Sequence, residues 1–199
     1  MRAWGPLLLI PLATACAGSA DEPTTRGAPL ASTRFTSSEI RQPAVFVRVV
    51  LAPGAFGARE QTTLPSAYEG ALLEGLNTRA MPPRDLQRAT TLEPRIVLAR
   101  ARDVGADHAI LVDVRVERGE PIFCGESRRA FRASATSWVQ HLEILRSSDG
   151  ARRLTLSGTA LTVTDLQPDC GDPRASHRRS SSETAADGVN LLLTRLLGP

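Results

Sequence analysis

Between Ile96 and Glu117 the apolar positions change their period. Ile96, Val97, Ala101 and Val104 recur at helical spacing, with Arg95, Arg100, Arg102 and Asp103 on the other side, which predicts an amphipathic helix. Pro94 suits the first helical turn, where its missing N–H costs nothing. Gly105 can take the left-handed conformation that closes a helix. After Gly105 the period falls to two. Ile110, Val112, Val114 and Val116 share one face, and Ala109, Leu111, Asp113, Arg115 and Glu117 share the other. The first half of this strand is apolar on both faces, so it is expected to run centrally and to be covered on both sides where it begins. Asp113 reads as a half-exposed strand residue.

The remaining pattern arranges itself around that unit. Ala44 to Ala52 is rich in β-branched residues and predicts a first strand, ended by Pro53-Gly54. Ser66-Ala67-Tyr68-Glu69 has the spacing of a capping box, so a helix is expected from Ser66, with Tyr68, Leu72, Leu73 and Leu76 as its apolar stripe. Ala80 to Leu86 fits a short edge strand, since Pro82 and Pro83 forbid a central one. Phe131 to Leu145 is a long strand in which Phe131, Ala133, Ala135 and Val139 alternate with Arg132, Ser134, Thr136 and Trp138; the pattern then slips, because Leu142 and Ile144 share parity with Trp138. A bulge near Gln140, or burial on both faces, accounts for such a slip. Ser148-Asp149-Gly150 is a hairpin turn and Leu154 to Val163 the returning strand. Ser180 to Glu183 is a second capping box, opening a helix with Ala186, Val189, Leu192, Leu193, Leu196 and Leu197 on its apolar side. The order predicts an α/β (α+β) two-layer sandwich: a mixed sheet of about four to five strands with about three helices mainly on one face.

The amino terminus follows a different rule. Arg2 precedes a short apolar run, Leu7 to Leu12, and then Ala13-Thr14-Ala15-Cys16. The run is too short to span a bilayer and reads as an export signal. The small residues before Cys16 are similar to a bacterial lipobox, although Leu12 stands four places before the cysteine and Ala13 takes the usual leucine position. That resemblance implies a signal peptide over 1–15 and a lipidated (palmitate-bearing) Cys16; ordinary cleavage after Ala17 or Ala20 is the rival. Ala17 following the cysteine implies outer-membrane sorting by the enterobacterial pattern. Residues 16–42, dominated by Ser, Thr, Pro, Gly and Ala, form a flexible tether. Residues 43–199 form a single domain.

Composition narrows the functional classes. Every one of the 24 basic residues is arginine, the formal net charge is +3, and aromatics make up 4% of the 199 residues. Nucleic-acid binding would want those arginines clustered with aromatics, so no nucleic-acid partner is expected. If Cys16 takes lipid, Cys124 and Cys170 remain. Cys124 lies just before the long strand and Cys170 just after the returning one, and an antiparallel hairpin brings those ends to one edge of the sheet. This favours a disulfide in an exported chain over free thiols or a metal or redox site. His108, His141 and His177 lack zinc-motif spacing, and no metal or other cofactor is expected. No nucleophile elbow, HExxH, Walker loop or GxGxxG occurs. His141 and Glu143 share a strand face, a spacing that could support acid–base work, though the ordinary reading is a solvated strand face. Arg128, Arg129, Arg178 and Arg179 lie on the loop side with the cysteines, where they fit an anionic polymer, an acidic partner or plain solvent.

ARDVGADHAILVDVRVE, 101–117, resembles the helix, Gly-Ala-Asp, hydrophobic-strand signature of small bacterial envelope lipoproteins, the group with the TolB amino-terminal domain, CsgG, PelC and LpoB. LEILRSSDGARRLTLSG, 142–158, is similar to their hairpin. The likeness covers about residues 44–197 and departs from the group in the Cys124/Cys170 pair and a weak second strand. It implies a scaffold, pore part or regulator without catalytic residues. The expectation is a non-enzymatic lipoprotein, anchored to the outer membrane through lipid and facing the periplasm. It would serve as an assembly, secretion or regulatory subunit through contact with an envelope protein or with further copies of itself. The alternatives are a module binding an anionic envelope polymer or lipopolysaccharide, like the LptE lipoproteins, and, without lipidation, a diffusible periplasmic or secreted binding protein.

Overall fold

The computed structural model of the chain describes residues 36–122, 133–166, 177–178 and 180–197. Its elements are β1 (Ala44–Leu51), α1 (Ala58–Thr78), β2 (Asp85–Arg88), α2 (Pro94–Asp103), β3 (His108–Ile122), β4 (Ala133–Arg146), β5 (Arg152–Leu166), β6 (His177–Arg178) and α3 (Ser181–Leu197). Three helices pack on a mixed sheet of five strands, extended by the two-residue β6, in the order β2-β1-β3-β4-β5-β6. β1 runs parallel to β2 and β3, and the pairs from β3 onwards are antiparallel. The central position expected for β3 is the observed one.

Helix and strand begin and end where the local chemistry dictates. Pro94 occupies the first turn of α2, and Gly105 closes it at φ +67°. The Ser180 hydroxyl accepts from the Glu183 N–H at 3.2 Å while the Glu183 carboxylate accepts from the Ser180 N–H at 2.7 Å. This is the reciprocal cap expected for α3. Gly150, at φ +74°, turns the β4–β5 hairpin, and Asp149 Oδ1 accepts from the Ala151 N–H at 3.0 Å.

Three expectations are corrected. First, α1 begins eight residues before Ser66, at Ala58, with Glu60 accepting from the Gly57 N–H at 3.0 Å. Leu64, Tyr68, Leu72 and Leu76 form one buried stripe at a spacing of four, and this holds the helix together across the internal Pro65. Ser66 and Glu69 do not cap. They lie three apart on the helix surface and receive Arg88 of β2, whose Nε meets Glu69 Oε1 at 2.6 Å and whose Nη2 meets Ser66 Oγ at 3.1 Å. Second, the edge strand starts after the prolines, at Asp85 rather than Ala80. Third, β4 does not slip at Gln140. Its pairing with both neighbours is continuous from Ala135 to Ile144. The apparent slip arises because a buried glutamine occupies a core position and an exposed valine, Val139, occupies an outer one.

The core has two parts, one on each side of the sheet. On one face, Val45, Val47, Ile110, Val112, Val114, Trp138, Leu142 and Ile144 meet the apolar stripes of α1 and α3. Tyr68 stacks on Trp138 with ring centroids 5.4 Å apart. Gln140 Nε2 donates to the Tyr68 hydroxyl at 3.0 Å and to the Gly188 carbonyl at 2.8 Å. Trp138 Nε1 donates to Thr162 Oγ1 at 3.0 Å. Burial pushes the Tyr68 phenol well above its ordinary pKa, against a smaller opposing effect of Gln140, so it stays neutral as the low dielectric requires. On the other face α2 packs Val97 and Ala101 against Ala44, Phe46, Ala109, Leu111 and Leu145. It covers only the first part of β1 and β3, which explains why β3 is apolar on both faces at its start and polar on one face later.

The amino-terminal approach is tied to the domain. Ser37–Glu39 forms a 3-10 turn, Ile40 is buried, and the Arg41 and Gln42 N–H groups donate to Asp107 at 2.7 and 3.2 Å.

Candidate functional site

Beyond α2, the second face of the sheet is uncovered by any described helix. Its residues are set in rows by strand register. One row runs Arg48, Asp113, His141, Ser157 across β1, β3, β4 and β5. Arg48 Nε donates to Asp113 Oδ1 at 2.9 Å. The Asp113 carboxylate raises the Arg48 guanidinium above its ordinary pKa, mainly through that hydrogen bond and against the effect of burial. His141 Nδ1 and Ser157 Oγ lie 2.8 Å apart. His141 Nε2 is 3.5 Å from Glu143 Oε1, which Arg152 Nη2 also approaches at 3.5 Å.

The next row is Val50, Arg115, Val139, Thr159, followed by Glu117, Ser137, Leu161. Val50, Val139 and Leu161 are 48%, 41% and 55% exposed. Gly119 makes room for Leu161. A β-carbon there would come within 2.6 Å of Leu161 Cδ1 and 2.9 Å of Ala135 Cβ. The surface thus combines three separated apolar side chains with a paired set of charges, three basic (Arg48, Arg115, Arg152) and four capable of negative charge or acceptance (Asp113, Glu117, Glu143, Ser157).

His141 and Glu143 do come together, and with Ser157 they make a serine–histidine–carboxylate set. Its setting is an open strand face. Strand N–H groups lie in the plane of the sheet and belong to its ladders, so they do not project towards an oxyanion above the face as acyl transfer needs. The row suits contact recognition better than chemistry. The other expected site residues, Cys16, Cys124, Cys170, Arg128, Arg129 and Arg179, lie outside the described residues. Arg178 is described only through its backbone, which pairs with Asp165 at the edge of β5. Strand parity was sufficient to put His141 and Glu143 on one face. It also contained the signal for Arg48, Val50 and Ser157, but the register that aligns them in rows is a tertiary property.

The fold is an α/β two-layer arrangement of three helices on a mixed sheet. No family model matches the chain, and no curated protein matches it by sequence. Among solved structures the chain is similar to the PelC dodecamer from Paraburkholderia phytofirmans, at 15% identity over 81% of this chain and 90% of that one, with a TM-score of 0.46. It is also similar to lipoprotein GNA1162 from Neisseria meningitidis, at 10% identity over 79% and 99% of the two chains, TM-score 0.42. The LpoB C-terminal domain from Salmonella enterica matches at 14% identity over 61% and 83%, TM-score 0.29. The likeness is one of fold.

Proposed function

We propose that this chain is a non-enzymatic lipoprotein of the bacterial envelope that works as an assembly, secretion or regulatory subunit by protein contact. The observation that carries this is the uncovered half-face of the sheet. Exposed Val50, Val139 and Leu161 stand there among ion-paired side chains, on a surface that β1, β3, β4 and β5 hold rigid. Side chains on a strand scaffold lose little further entropy on docking, which favours contact recognition. The partner is an envelope protein or a further copy of this chain, and PelC, a dodecamer in its own crystals, is an example of the second arrangement on a similar fold.

Attachment follows from the leader. Lipid on Cys16 anchors the chain at the outer membrane, and the residues up to about 35 give it reach into the periplasm. Cys124 and Cys170 form a disulfide. In support, β3 ends at Ile122 and β5 at Leu166, at the same end of the sheet and two strand spacings apart, roughly 10 Å. Two further residues lead to Cys124 and four to Cys170. Closing that loop stabilises by about 4 kcal/mol in the chain-entropy model.

Intact mass of the protein recovered from its host's membrane fraction, with and without reduction, tests both. A lipid increment on a chain beginning at Cys16, with two protons gained on reduction, is expected. A soluble unlipidated chain starting at Gly18 or Asp21 would make a diffusible binding protein the better reading. The second reading, an anionic-polymer module using Arg128, Arg129, Arg178 and Arg179, expects salt-sensitive binding that weakens when those four are neutralised.

A further inference from the structure

The end of the sheet away from the cysteine loops carries a basin of about 460 Å³ between the close of α2 and the β4–β5 hairpin, lined by Arg102, Asp107, His108, Arg146 and Ser147. These residues come from both sides of the helix–strand unit and from the far end of β4, so no sequence motif joins them. His108 and Ser147 are 6% and 4% exposed. Ser147 Oγ and His108 Nδ1 are both buried and have no hydrogen-bond partner among the described residues; the nearest charged group to His108 Nδ1 is Asp107 Oδ1 at 3.5 Å. Buried polar atoms of this kind are uncommon because each forfeits its hydration.

We propose that this basin binds a phosphate group. Arg102 and Arg146 bring two guanidiniums to it. Arg102 spends its Nε on the Ser147 carbonyl at 2.6 Å, which fixes the plane of the fork and turns its two terminal nitrogens to other use. Arg146 makes one long contact, Nη1 to Asp149 Oδ2 at 3.3 Å. Arg84 lies against the wall, with its guanidinium carbon 3.6 Å from where a β-carbon of Gly105 would stand. Asp107 is the one carboxylate in the lining, and both its oxygens are already engaged by the Arg41 and Gln42 N–H groups. A monoester or hydrogen phosphate supplies acceptor oxygens for the guanidiniums and, once the Ser147 and His108 side chains rotate to open their buried atoms to the basin, for the Ser147 hydroxyl, and also an O–H. It therefore satisfies His108 Nδ1 in either tautomer. The basin sits where the chain enters the domain through Arg41 and Gln42. A phosphorylated lipid headgroup at the membrane and free phosphate share this chemistry.

The test is titration of the full chain with inorganic phosphate at constant ionic strength, followed by backbone amide and imidazole NMR shifts and by thermal unfolding. Saturable shifts centred on Asp107, His108 and Ser147, with a raised Tm, are expected. Arg146→Gln weakens the apparent affinity at least about tenfold, the scale of one charge-assisted contact. Ser147→Ala also weakens binding, yet leaves the phosphate-free Tm unchanged or higher, because its hydroxyl has no partner to lose. Phosphatidylcholine vesicles with a minority of phosphatidic acid form the second arm. Shifts of the same residues by these vesicles alone assign the site to a headgroup, and by inorganic phosphate, to the free ion. No saturable shift in either arm, or shifts that both variants leave intact, overturns the proposal.

Discussion

The two faces of the sheet are built from alternate residues of the same strands, and they behave as different materials. Trp138 and Val139 are neighbours in β4. Trp138 is fully buried against Tyr68 and α3, and Val139 faces solvent. On the helix face the central buried polar groups are answered inside the protein: Gln140 by Tyr68 and Gly188, Trp138 by Thr162. On the other face, polar groups answer one another in rows and leave three apolar side chains over. A face whose groups are all answered internally contributes stability and uniqueness of packing. A face with apolar remainder among satisfied charges is, on the proposed reading, the one offered for contact. The two faces divide by strand parity, and α2, by covering only the start of the second face, decides where that face becomes exposed.

Substitutions across one strand sharpen this contrast most. Trp138→Ala is expected to cost about 3–5 kcal/mol through lost burial and the cavity it leaves, whereas Val139→Ala stays within about 0.5 kcal/mol. Urea unfolding of the two variants side by side measures the difference, and equal losses would break it. Gln140→Leu comes next. It removes the donor to Tyr68 and to the Gly188 carbonyl and should cost about 1–3 kcal/mol, despite being the more apolar residue. Gly75→Ala probes how closely α1 and α3 approach, since a β-carbon there would meet Leu193 Cδ1 at 2.5 Å. About 1–3 kcal/mol is expected from overpacking.

The open face answers more weakly. Asp113→Asn removes the partner of a part-exposed Arg48 and should cost less than about 1 kcal/mol, an effect that shrinks as salt is added. Acid gives the smallest response. Arg153, first, and the Thr36 N–H hold the Glu39 carboxylate below its ordinary pKa, and the Ala151 N–H does the same for Asp149. Each folded value lies below the unfolded one, so the stabilisation is present above the unfolded value and fades as pH falls through the folded one. Tm against pH for Glu39→Gln and Asp149→Asn should therefore merge with the parent in acid and fall slightly below it near neutrality.

The same contrast explains what could be read in advance. Period two in β3 and period 3.6 in α2 are set by burial, and burial is written in the residues themselves. The central strand, the helix that closes at Gly105 and the capped α3 were legible for that reason. Ser66 and Glu69 have the spacing of a cap, yet α1 starts at Ala58, because their actual partner, Arg88, is remote in sequence. β4 hides its regular register in its sequence, because a satisfied buried glutamine, Gln140, and an exposed valine, Val139, invert the usual pattern. The open face and the basin at Ser147 depend on register. Arg48 meets Asp113, and Ser157 meets His141, only once the strands are aligned.

The most direct test of the central claim is a photo-crosslinking amino acid placed in the host at Val139 and, for comparison, at Leu73, which is equally exposed, at 41%, but lies on the helix layer. A discrete, reproducible protein adduct from position 139, with none from 73, is what a docking open face predicts. Adducts from 73 alone, or the same products from both, would contradict it.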